Sequence, residues 1–101
     1  MIKVTYKKES DVIAKLTIKG HANYDEYGKD IVCASVSTMF ITSINIILSF
    51  DEKAILFSAS NNAFIENIKK DEITNKVLNN LIEELLELES KYKENINIKE
   101  E

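Results

Sequence analysis

The sequence predicts an α+β fold in two layers, a largely antiparallel sheet carrying two helices in the order β-β-α-β-β-α-β. Three observations lead there. Apolar residues alternate with polar ones over Ile2 to Tyr6 and again over Ala14 to Gly20, the period of half-buried strands. No charged residue falls between Ile31 and Phe50, and from Ile73 to Leu86 apolar residues recur at helical spacing. The strands are joined by short polar connections, which favour antiparallel hairpins packed under helices. A chain of 101 residues fits one domain, residues 1–101, with one core.

Taken in order, Ile2, Val4 and Tyr6 form the inward face of the first strand, and Lys8-Glu9-Ser10-Asp11 the turn after it. Ala14, Leu16, Ile18 and Gly20 continue the pattern in a second strand, so His21 stands at a strand end. A loop over Ala22 to Lys29 follows, and Asp30 supplies the N-cap letter for a helix running to Phe50. That helix has the length of a bilayer span. Ser35, Ser37, Thr38, Thr42, Ser43, Asn45 and Ser49 interrupt it, and Asp30 and Asp51-Glu52 bracket it without basic anchors, which predicts a buried helix and no membrane partner. Ile55 and Phe57, then Phe64 and Ile68, read as two strands around a Ser60-Asn61-Asn62 turn. The second helix spans Asp71 to Tyr92, with Ile73, Val77, Leu78, Leu81, Ile82, Leu85 and Leu86 on its apolar side. Asn95 to Lys99 alternates again as a last strand.

Composition excludes several classes. The formal charge is -4 and all 13 basic residues are lysines. Bidentate phosphate and guanine recognition leans on arginine, so nucleic-acid binding is not expected. A single cysteine makes no intramolecular disulfide, and the charged, alternating N-terminus does not read as a secretory signal, which predicts a reduced, cytoplasmic protein. One Cys with one His falls short of a metal ligand set, so neither metal nor cofactor is expected. The abundance of Lys, Asn and Ile suggests an AT-rich genome.

The one histidine, the one cysteine and both glycines fall within Gly20 to Cys33. Cysteine with histidine makes a nucleophile with its general base. With Asp30 as N-cap, Cys33 would sit in the first turn, where free N–H groups and the helix dipole favour a thiolate and would donate to an oxyanion, that of Cys33 included. Ser37, one turn on, would lie beside it. These residues alone leave the bland readings open: a small buried cysteine, a surface histidine and a capping aspartate.

The surrounding letters narrow the choice. Gly20-His21-Ala22, Tyr24, Tyr27-Gly28-Lys29-Asp30-Ile31-Val32-Cys33-Ala34 and Val36-Ser37 together resemble the ribosomal-processing cysteine proteases called Prp, with Ser35 in place of the usual alanine. The resemblance implies a bacterial cytoplasmic endopeptidase that removes the N-terminal extension of the twenty-seventh large-subunit ribosomal protein, cutting after an aromatic residue. It implies Cys33 as nucleophile and His21 as general base. It further implies Gly20, Gly28, Asp30 and Ser37 as site-shaping residues, and a homodimer. Within the loop, Tyr24 and Tyr27 suggest an aromatic, substrate-binding pocket, and Asp25 and Glu26 an attraction for a basic substrate protein. Two other uses of the same residues stay open, a noncatalytic ribosome-associated binding module and a thiol-dependent acyltransferase or thioesterase.

Overall fold

The computed structural model describes residues 1–20, 27–60 and 62–101, with the backbone alone over 27–30. Seven elements follow in the expected order: β1 (Ile2–Glu9), β2 (Val12–Lys19), α1 (Tyr27–Phe50), β3 (Ile55–Ser58), β4 (Ala63–Asn67), α2 (Glu72–Lys91) and β5 (Ile96–Glu100). The five strands make one sheet in the order β3-β4-β2-β1-β5. Every pairing is antiparallel except β1 with β5, which is parallel and sets Ile2 against Ile96 and Val4 against Ile98.

Alternation decides the sheet's faces. Ile2 and Val4 of β1, Leu16 and Ile18 of β2 and Ala63 and Ile65 of β4 are buried against the helices. The opposite face carries Lys3, Thr5, Lys15 and Thr17, with the Thr5 and Thr17 hydroxyls bonded to each other and the Lys15 ammonium 5.7 Å from the centre of the Phe64 ring. Both helices lie on the apolar face, α1 through Val32, Val36, Phe40, Ile44 and Ile47, and α2 through Leu78, Leu81, Ile82, Leu85 and Leu88. The uncharged stretch Ile31–Phe50 is apolar enough to cross a membrane, yet this stripe seats it on the sheet.

Three expectations need correction. In β4 the buried residues are Ala63, Ile65 and Asn67; Phe64 faces the other way and Ile68 lies beyond the strand, exposed. The small Ala63 and the polar Asn67 hide this face in the sequence. Asn67 is buried because its amide replaces missing ladder bonds: Nδ2 donates to the Ile13 carbonyl and to Asn75 Oδ1, each at 3.0 Å, while Oδ1 accepts from the Lys70 N–H at 2.9 Å. In α2, Ile73 and Leu86 are exposed at 43% and 41%, and Thr74 and Leu88 take the inward places. Finally, α1 begins at Tyr27, so Asp30 lies inside its first turn and is not the N-cap. Gly28 does not stop the helix, since an interior glycine costs only about 1 kcal/mol relative to alanine.

The ends of the helices are fixed by charge and capping. Asp71 caps α2, its carboxylate accepting from the Thr74 N–H at 2.9 Å, and this bond holds its carboxyl below the ordinary value of 3.8. Just after α1, Asp51 pairs with Lys69 and accepts from the Lys53 N–H, which lowers its carboxyl likewise. Both groups bind protons less readily folded than unfolded, so their stabilisation is complete above pH 3.8 and disappears as pH falls through the lowered folded values. Acid titration followed by circular dichroism should show Asp51→Asn with Asp71→Asn flattening the loss of stability below that pH.

Candidate active site

Two elements converge on the site. β2 delivers its end at Gly20, and α1 delivers Cys33 and Ser37 on consecutive turns. Gly20 has φ +81, a conformation L side chains rarely adopt, and a Cβ there would overlap the carbonyl oxygen of Met1. Only glycine ends the strand here. Gly20→Ala should therefore cost about 1–3 kcal/mol in backbone strain, before any shift of Met1. For a domain this size that lowers the melting temperature by about 4–8 °C per kcal/mol. Thermal unfolding of the variant checks it.

Beyond Gly20 the chain enters residues 21–26, so His21, Ala22, Tyr24, Asp25 and Glu26 lie outside the described residues. Tyr27, Gly28 and Asp30 stand on the first turn of α1. The loop expected over Ala22 to Lys29 thus gives up its last three residues to the helix.

Cys33 is half-buried and packs against the edge of the core, and Ser37 is exposed one turn further on. Because α1 starts at Tyr27, Cys33 stands in the second turn and not the first. The dipole's influence falls off within the first turn, and an amide this far into a helix is committed to the carbonyl four residues back. The backbone N–H of Cys33 is therefore not the free oxyanion donor expected from the sequence.

The two elements meet at a small pocket of about 80 Å³, lined by Ile18 of β2, by Val36, Ser37, Phe40 and Ile41 of α1, and by Ala59 and Ala63. Ile18 lies three residues before His21, and Ser37 lies one turn after Cys33. The fold thus carries the end of the histidine's strand to the cysteine's helix. The pocket-forming Ile41, Ala59 and Ala63 had no sequence signal of their own, being unremarkable apolar letters until the hairpin of β3 and β4 is folded against α1. Among the described residues no group of His, Cys, Asp and Glu is arranged to hold a metal ion.

This geometry accompanies clear relationships. The family described as cysteine protease Prp matches residues 1–97. The chain belongs to the Prp family of cysteine proteases. A Staphylococcus aureus protein, ribosomal processing cysteine protease Prp, is 30% identical over 95 residues, covering 90% of this chain and 86% of its own length. The crystal structure of a Prp from S. aureus in complex with a substrate peptide matches with a TM-score of 0.90 at 24% identity, over 100% of both chains. A second, holding a covalently linked product peptide, matches with a TM-score of 0.88 at 24% identity, again over 100% of both. A Streptococcus mutans protein matches at 0.83 and 22% identity, over 99% of this chain and 93% of its own. The two-layer β-β-α-β-β-α-β architecture is thus the Prp fold. Membership makes the chain a cysteine protease, and the noncatalytic module falls away.

Proposed function

We propose that this chain removes the N-terminal extension of the twenty-seventh large-subunit ribosomal protein, with Cys33 as nucleophile and His21 as general base. The observation that carries the assignment is that a cysteine protease requires a thiolate and Cys33 is the only cysteine in the sequence. The pocket shared by Ile18 and Ser37 supports the pairing, because it holds the two chain segments that flank the candidates side by side. The ribosomal processing named for the S. aureus relative supports the substrate.

The chemistry proceeds in two stages. Imidazole takes the thiol proton, sulfur adds to the scissile carbonyl, and the C–N bond breaks as the imidazolium protonates the leaving amine. Water, deprotonated by the same imidazole, then hydrolyses the thioester and regenerates the thiol. Gly20 supports this by setting the strand end that leads to His21. Gly28, Asp30 and Ser37 shape the surroundings of Cys33, and Tyr24 and Tyr27 receive the aromatic residue before the cut. Neither metal nor cofactor has a part in these steps.

The protein acts in the cytoplasm as a homodimer. An apolar surface supports the second copy: Ile46, which lines a groove between α1 and α2, is 43% exposed, and Phe50 at the end of α1 is 66% exposed. Sedimentation equilibrium reads the dimer directly. For the activity, the test is to incubate the protein with the extended ribosomal protein of the same genome and weigh the products. Two fragments whose masses sum to the substrate plus water support the reading, and an intact substrate contradicts it.

A further inference from the structure

Both helices cover one side of the sheet, and the described residues place nothing over the other. On that open side the strand registers set Lys3 against Lys19 and Lys7 against Lys15 across β1 and β2, and Lys99 of β5 beside Thr5. All five lysines are exposed, and among the described residues none of them forms an ion pair. Acidic groups are few here. Glu66 stands opposite Lys15 on β4, and at the rim lie Glu9, paired with Lys70 at 3.2 Å, and Glu101, whose N–H donates to the Tyr6 carbonyl. The chain's formal charge of -4 thus conceals two unlike sides, since α2, across the sheet, exposes Glu72, Glu83, Glu84 and Glu87.

Like charges directly opposite each other destabilise a sheet, because their side chains stand only about 5 Å apart. Two such pairs on β1 and β2 work against folding, and an anion lying across them relieves both. Lys3 and Lys7, like Lys19 and Lys15, are separated by about 13 Å of strand, so the four ammonium groups frame a flat strip with Lys99 along its flank. A strip of this length fits a polymer of repeated negative charge better than one small anion. Phe64, beside Thr17 on β4, adds a half-buried aromatic ring on which a base can stack, with the Lys15 ammonium 5.7 Å from the ring centre. Lysine meets phosphate as a point charge, so the absence of arginine removes bidentate base recognition and leaves backbone contact in place. A second copy of this chain does not suit the face, because a two-fold contact through it sets lysine against lysine. A basic ribosomal protein does not suit it either, being repelled.

We propose that the open face of the sheet binds single-stranded RNA through its phosphates, irrespective of sequence, and so holds the protease on the RNA with which a ribosomal protein assembles. The choice of RNA among anionic partners rests on the ribosomal reading above, whereas the lysine pattern stands without it.

The test follows the fluorescence anisotropy of a labelled single-stranded RNA of about twelve nucleotides mixed with the full chain. Five phosphate contacts on a single strand give log K against log salt a slope of about -3.5, so affinity should fall about a hundredfold between 50 and 200 mM salt. Lys3→Gln with Lys19→Gln, and separately Lys7→Gln with Lys15→Gln, should each reduce the slope to about -2 and weaken binding at the lower salt by about tenfold or more. Thermal unfolding of both double variants should be no lower than wild type, because a repulsive pair has been removed. Phe64→Leu should weaken binding by about fivefold or more and leave the slope unchanged. Cleavage of a short synthetic peptide by the variant carrying Lys7→Gln and Lys15→Gln should match wild type. Absence of RNA binding by wild type at the lower salt, or an unchanged slope in both folded double variants, overturns the RNA surface and leaves the protease reading intact. Tighter binding to phosphatidylserine vesicles or to polyglutamate than to the RNA overturns RNA as the occupant. RNA binding with the expected slopes by a protein that cuts neither the peptide nor the extended ribosomal protein supports the surface and overturns the protease reading alone.

Discussion

Replacing Cys33 by alanine should reduce cleavage of the extended ribosomal protein to background, a loss of at least about four orders of magnitude, with the fold unchanged. The size of the effect follows from covalent catalysis: without sulfur there is no thioester, and no other residue in this chain is a thiol. The fold should survive because alanine is the best helix former and Cys33 is only half-buried, at the edge of the core. Product masses and circular dichroism of the two proteins read both halves of the prediction. Cleavage by the folded variant at an undiminished rate would remove Cys33 from the chemistry.

His21→Ala should lower kcat/KM by about two to four orders of magnitude, the usual contribution of a general acid and base. The loss is smaller than for Cys33 because hydroxide and the substrate's own groups still transfer protons slowly. The distinguishing readout is the pH profile. Wild-type activity should rise through the titration of an imidazole, and the variant's residual activity should lack that limb and increase with pH. Alkylation of Cys33 by iodoacetamide should continue in the variant, since the thiol remains. A variant that keeps the wild-type limb would exclude His21 as the base and leave another group to be found.

Much of this arrangement was legible from residue patterns. Period-2 alternation placed β1 and β2, because a half-buried sheet demands it at every position. Helix α2 runs from Glu72 to Lys91 between the caps Asp71 and Tyr92, against an expected Asp71 to Tyr92, because its heptad-like spacing and its capping aspartate agree. The failures share a cause. The faces of β4, and of α2 at Ile73 and Leu86, were decided by which partners the tertiary fold supplied, and hydrophobicity alone ranks Phe64 above Ala63 and Leu86 above Thr74. The start of α1 differs from the expected one because Asp30 is a favourable cap residue, while the helix extends back through Gly28 to Tyr27. At the candidate site, Gly20 and Cys33 stood out through residue chemistry, and His21, which did so too, lies outside the described residues. The pocket walls did not, since Ile18 and Ala63 meet Val36 and Phe40 only after distant segments have paired.

The parallel pairing of β1 with β5 gives the site a temporal order. Ile2 is held from one side by Ile96, and its N–H donates to the Asn95 carbonyl at 2.9 Å; one residue earlier, Met1 presents the carbonyl against which Gly20 turns. Residues at opposite ends of the sequence thus brace β1, whose preceding Met1 carbonyl abuts the end of β2 at Gly20. Such distant contacts carry the loop-closure entropy that slows folding, whereas helices form within microseconds. During refolding, the circular-dichroism signal of α1 and α2 should therefore recover first, and peptidase turnover should return only in the slowest phase, when the ends of the polypeptide have zipped together. A chain caught midway would be helical and inert, incapable of cutting a neighbour before its own sheet is closed.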